Sequence, residues 1–132
     1  VMGNTETGVQ MDGNTLEYNL IMSNGVGVVT QGGWDVIRNN MIESNGIGIT
    51  LGAYPTRPVV EFNSILDSVS HALEYVGGIG DGPANVANNW WGLDNPTLVA
   101  GMIWDFYDDP SLFEVVFVPI LMAPNPAVGP TE

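Results

Sequence analysis

Ile21-Met22-Ser23-Asn24-Gly25-Val26-Gly27-Val28 is repeated 21 residues later as Ile42-Glu43-Ser44-Asn45-Gly46-Ile47-Gly48-Ile49, almost position for position. The pattern within each copy has period two. Val26, Val28 and Thr30, then Ile47, Ile49 and Leu51, alternate with small or polar residues, as short strands with one buried face do. The Asn-Gly pairs at Asn24-Gly25 and Asn45-Gly46 are expected to supply positive φ between strands. Asn-Gly is also a hairpin signal. A hairpin meander, however, has no reason to return the same Asn-x-Ile-x-x-Asn-Gly phrase at a fixed interval. A chain that coils in parallel stacks like on like, and that is the all-β fold the repeat predicts.

Working outward, the repeat extends in both directions. Asn19, Asn40, Asn63 and Asn89 occupy the same place in four successive copies, at steps of 21, 23 and 26 residues. Steps of this size mark stacked repeats. The third copy, Ile65-Leu66-Asp67-Ser68-Val69-Ser70-His71-Ala72-Leu73, carries one inserted residue, and Thr7-Gly8-Val9-Gln10-Met11 is an earlier partial copy. Ile37, Val60 and Val86 read as further short strands just upstream of their asparagines. Stacked Asn side chains hydrogen-bond along the stacking axis. Asn19, Asn40, Asn63 and Asn89 are therefore expected to form an internal structural ladder, with ligand contact the alternative.

An open end of such a stack exposes strand edges and core, so a cap is needed. Asn95-Pro96 reads as a helix start, with Leu98, Val99, Met102, Ile103 and Phe106 forming one apolar face and Asp108-Asp109-Pro110 ending it. Trp90, Trp91 and Trp104 are expected to roof the last layer, each bringing about 150–250 Å² of buriable surface. A sugar-stacking platform is the alternative role for these rings. Val115 to Leu121 reads as a closing strand. The expected organisation is repeats over residues 1–92, a cap of helix plus strand over 93–121, and a Pro-rich tail or linker over 122–132. Val1 to Gln10 looks like a layer already in progress, so its free face is expected to pack on upstream layers, on another copy, or on a different subunit.

Fifteen Asp and Glu stand against two Lys and Arg, a formal net charge of −13. A nucleic-acid binder displaces phosphate counterions with Lys and Arg, which excludes that class of partner here, and anionic membrane surfaces are disfavoured on the same ground. Cations, Ca²⁺ above all, suit such a surface. With no Cys there is neither a disulfide framework nor thiolate chemistry. No apolar run approaches the length of about 18 residues that a spanning helix needs, so membrane insertion is not expected.

Asn40-Met41-Ile42-Glu43-Ser44-Asn45-Gly46-Ile47-Gly48-Ile49 and Asn88-Asn89-Trp90-Trp91-Gly92 resemble the parallel β-helix repeat proteins of the pectate-lyase-like superfamily, over roughly residues 3 to 121. The resemblance implies a right-handed parallel β-helix, a solenoid of about four to five rungs. It implies a short capping helix and a closing strand at the C-terminal end, and an extracellular or cell-surface setting. It is specific for fold and poor for function, because the superfamily includes lyases, hydrolases, epimerases, adhesins and inert spacers.

Polysaccharide lyases on this fold use acidic Ca²⁺ ligands with a nearby Arg or Lys. The basic residues here are Arg38, expected to project outward from a strand, and Arg57, in the Tyr54-Pro55-Thr56-Arg57-Pro58 loop. His71 fills the slot that Val26 and Ile47 fill elsewhere, as a structural histidine or a general base. The Ca²⁺ candidates are Asp105, Asp108 and Asp109, spaced along the end of the expected helix, and Asp81 within Gly80-Asp81-Gly82, with Asp94 downstream. A solvated acidic face is the alternative. Three functions follow. A non-catalytic extracellular module, acting as a structural, assembly or adhesive segment, accounts for the scarcity of basic residues and is the expectation. The terminal part of a polysaccharide lyase or hydrolase, and a carbohydrate- or ice-binding surface, are the others.

Overall fold

The computed structural model describes residues 3, 5–30, 35–52, 58–76, 84–105, 107–110, 112 and 114–130. Almost all regular structure is short parallel β. Five strands, β1 (Thr7–Met11), β4 (Val26–Thr30), β7 (Ile47–Leu51), β10 (His71–Tyr75) and β12 (Ile103–Trp104), form one sheet in that order. A second sheet holds β2 (Thr15–Glu17), β5 (Val36–Arg38) and β8 (Val59–Glu61), and a third holds β3 (Leu20–Met22), β6 (Met41–Glu43) and β9 (Ser64–Leu66). β11 (Ala84–Asn85) and β13 (Val115–Val116) pair separately. Among the first ten strands, each therefore pairs with the strand three places later, and every pairing is parallel. Among the described residues no helix is long and apolar enough to cross a membrane.

Identical sequence positions meet across the layers. Ile21, Ile42 and Ile65 are register partners in turn, and so are Val28, Ile49, Leu73 and Ile103. All seven belong to one core that the sheets share. Burying a branched aliphatic side chain of this kind contributes about 1.5–3 kcal/mol, so like-on-like columns supply the main drive for stacking. The inward face of the five-residue strands differs from strict alternation. Gly27 and Val28, Gly48 and Ile49, and Ala72 and Leu73 are buried in consecutive pairs, while Val26, Ile47 and His71 are only half-buried. The small residue is required because the next layer passes over it: a Cβ on Gly27 would lie 2.6 Å from the Gly48 carbonyl oxygen.

The asparagine ladder forms. The Asn40 Oδ1 accepts the Asn19 amide at 2.9 Å, Asn63 Oδ1 accepts the Asn40 amide at 3.0 Å, and Asn89 Oδ1 accepts the Asn63 amide at 3.0 Å. Each Nδ2 also donates to a carbonyl two residues earlier in its own layer, Glu17, Arg38, Glu61 and Ala87 respectively. A second ladder runs from Asn24 to Asn45, with the Asn24 amide donating to Asn45 Oδ1 at 2.9 Å. Asn24-Gly25 and Asn45-Gly46 are therefore not positive-φ turns. The left-handed residues are the ones preceding each ladder position: Tyr18, Asn39, Phe62 and Asn88 before the first ladder, Ser23, Ser44 and Asp67 along the second. The asparagine must aim its amide along the axis, so the chain reverses one residue earlier. Gly25 and Gly46 serve close approach instead, each lying against the backbone of the preceding layer.

At the C-terminal end, Asn95 caps helix α1 (Pro96–Ala100) by accepting the Thr97 amide at 2.9 Å. The helix does not continue to Phe106. It ends at Ala100, and Ile103–Trp104 joins the large sheet as β12, where the Met102 carbonyl accepts the Ala72 amide at 2.8 Å. Gly101 weakens further helix, and pairing with β10 buries Ile103, which a surface helix could not match. Phe106 itself lies outside the described residues. The closing strand is confined to Val115–Val116. The Pro-rich segment lies back along the body: Leu121 donates to the Asn89 carbonyl, Asn125 Nδ2 to the Phe62 carbonyl at 2.8 Å, and Gly129 to the Asn39 carbonyl at 3.0 Å.

Candidate functional site

The first and fourth positions of the five-residue strands form two outward columns on the large sheet. Val26, Ile47 and His71 are register partners in one, and Val29, Thr50, Glu74 and Trp104 in the other. Chemistry concentrates at the last two layers. His71 Nδ1 lies 2.9 Å from Glu74 Oε2, and the His71 and Trp104 rings are 5.6 Å apart at 56°. On an ideal strand, residues three apart face opposite sides. Burial of both Ala72 and Leu73 bends β10 so that His71 and Glu74 share one face.

With its imidazole neutral, a carboxylate on Nδ1 fixes the tautomer and leaves the other ring nitrogen as an acceptor. Trp104, about one-third exposed, adds an apolar ring beside this polar pair. The cluster can relay a proton or grip a hydroxylated ligand. His71 stands in the slot expected for it, but Glu74 and Trp104 are additions that reading by strand alternation does not reveal. The signal for them is Ala72, aligned with Gly27 and Gly48 at the bend.

Other residues expected to carry chemistry lie apart. Arg38 projects from β5 between neighbours of the adjacent layers, 3.4 Å from Glu17 and 3.9 Å from Glu61. Arg57 and Asp81 lie outside the described residues. Trp91 is buried in the core and Trp90 bridges to Ser64, whereas Trp104 does not roof the last layer with them but faces outward on β12.

The acidic group follows a loop rather than a helix. Asp105 is buried, and its carboxylate accepts the Tyr107 amide at 3.1 Å and the Val115 amide at 2.8 Å. Asp108 Oδ2 accepts the Asp105 amide at 3.1 Å, and the Asp105 carbonyl accepts the amides of Asp108 and Asp109. Asp105 thus ties β13 to the end of β12. Nearby, the Tyr107 hydroxyl donates to Glu114 at 2.6 Å, and that carboxylate raises the phenol above its ordinary value. Among the described residues, no group of three or more His, Asp or Glu is placed to hold a metal ion.

Compared with protein-family models, curated proteins and solved structures, the chain matches none of them significantly.

Proposed function

We propose that the chain is a right-handed parallel β-helix module of the pectate-lyase-like kind, acting outside the cell as a non-catalytic structural, assembly or adhesive segment. Parallel pairing of each strand with the strand three places later supports the coil, and the repeat phrases support the kinship. The observation that carries the function is where the repeated polar groups go. The ladder asparagines bond to one another and to backbone, and Arg38 is bracketed by Glu17 and Glu61. β1 lies at one edge of the large sheet, and an unpaired strand edge is a template for pairing. Upstream rungs of the same polypeptide or another subunit are the proposed occupants.

The His71–Glu74–Trp104 cluster favours a second reading, the terminal part of a polysaccharide lyase or hydrolase. Release of unsaturated uronides from pectin, alginate and glycosaminoglycans, with and without Ca²⁺, separates the two. The module reading expects no turnover; sustained turnover that is lost in His71→Ala would overturn it.

A further inference from the structure

The corner before the first asparagine ladder has a composition that stacking does not explain. Its four members, Tyr18, Asn39, Phe62 and Asn88, all have left-handed backbone, with φ of 56°, 57°, 59° and 64°. Asn tolerates that region, but a bulky aromatic residue there is an outlier. Neither aromatic residue is rescued by burial: Tyr18 is 40% exposed and Phe62 39%. A residue that is both conformationally costly and poorly buried contributes little to the fold that holds it. Such strain is often stored at functional sites.

The geometry points to a linear binding strip for a neutral, extended polysaccharide along this corner, with Tyr18 and Phe62 as stacking platforms, Asn39 as the polar contact between them and Asn88 as a second one a layer beyond Phe62. Tyr18 and Phe62 are two layers apart, and layers of paired strands are about 4.8 Å apart, which spaces the rings by roughly 10 Å along the axis. A pyranose ring presents a flat face of C–H groups that packs on an aromatic face, and its rim of hydroxyls needs groups that both donate and accept. The side-chain amides of Asn39 and Asn88 offer both, and neither makes a hydrogen bond among the described residues. The 121–130 segment runs alongside this corner, donating to the Phe62 and Asn39 carbonyls, and both aromatic side chains stay partly exposed beside it. With a net charge of −13, the chain repels polyuronates, which selects neutral glycans. A proline-rich peptide also docks on exposed aromatic rings, but its carbonyls use only the donor half of each amide.

The inference rests on the adhesive form of the proposed module. It is tested by titrating the chain calorimetrically with cellohexaose, hexagalacturonate and decaproline. Cellohexaose is expected to bind, with affinity falling by about tenfold or more in Tyr18→Ala and in Phe62→Ala, and retained in Tyr18→Phe. Both alanine variants alter exposed side chains, and matching melting curves establish that they fold. No cellohexaose binding, binding indifferent to both substitutions, or equal or tighter binding of hexagalacturonate or decaproline would overturn the strip. Reducing ends measured after the same incubations address the module reading separately: cleavage of cellohexaose defeats the non-catalytic reading whether or not the strip binds.

Discussion

Asn40 illustrates how much one side chain carries in this chain. Its Oδ1 accepts the Asn19 amide, and its Nδ2 reaches the Leu16 carbonyl at 2.8 Å, the Arg38 carbonyl at 3.0 Å and Asn63 Oδ1 at 3.1 Å. The Asn40 side chain is fully buried, and each polar group left unpaired there costs about 1–3 kcal/mol. Asn40→Ala is expected to lower unfolding free energy by about 3 kcal/mol or more in urea titration. A variant as stable as the parent would remove the ladder from the account. Asp35 makes the opposite case. It receives the Asn14 amide on Oδ1 at 3.0 Å, as a ladder asparagine does, but its buried Oδ2 has no hydrogen-bond partner among the described residues. Elsewhere that position holds an Nδ2 donating to carbonyls. Asp35→Asn is therefore expected to stabilise the chain by about 1 kcal/mol, read as a raised melting temperature.

The elements are individually too short to be stable. Most of the described strands have three to five residues and helix α1 has five, so each exists because a neighbouring layer holds it. Close stacking is where this dependence is most exposed to mutation. A Cβ on Gly46 would overlap the Gly25 carbonyl oxygen, a backbone atom that no rotamer change can move aside. Gly46→Ala is expected to cost about 1–3 kcal/mol, with Gly101→Ala as the tolerated control. Gly101 has right-handed helical backbone, and a Cβ there would meet its nearest neighbour, the Leu98 carbonyl oxygen, at an ordinary 3.5 Å. Equal losses in both would show that layer contact does not decide the cost, since the reduced freedom of the unfolded chain favours alanine at either site. The β12 segment shows the same dependence: helical spacing in the sequence was outweighed by an available strand edge on β10.

Over the whole molecule, the 121–130 segment binds back across layers that are distant in sequence, with Asn125 to Phe62 separated by 63 residues. Truncation after Met122 is expected to lower stability by about 1–3 kcal/mol and to speed proteolysis of the corner whose carbonyls it bonds; unchanged proteolysis would mean that the segment rests there without holding anything. The sequence by itself determined the parallel stacking, the first asparagine column and the place of His71, because identical residues recurring at a near-constant step can be buried together only when layers coincide. The partnership of His71 with Glu74, the second ladder at Asn24 and Asn45, the exposure of Trp104 and the return of the C-terminal segment were decided by tertiary structure. Each depends on which of several local preferences a neighbouring layer rewards: a bend where Ala72 and Leu73 are both buried, a left-handed residue one place before each asparagine, a strand edge in place of a helix. Those rewards come from contacts about 20 or more residues away along the chain, beyond the reach of local pattern.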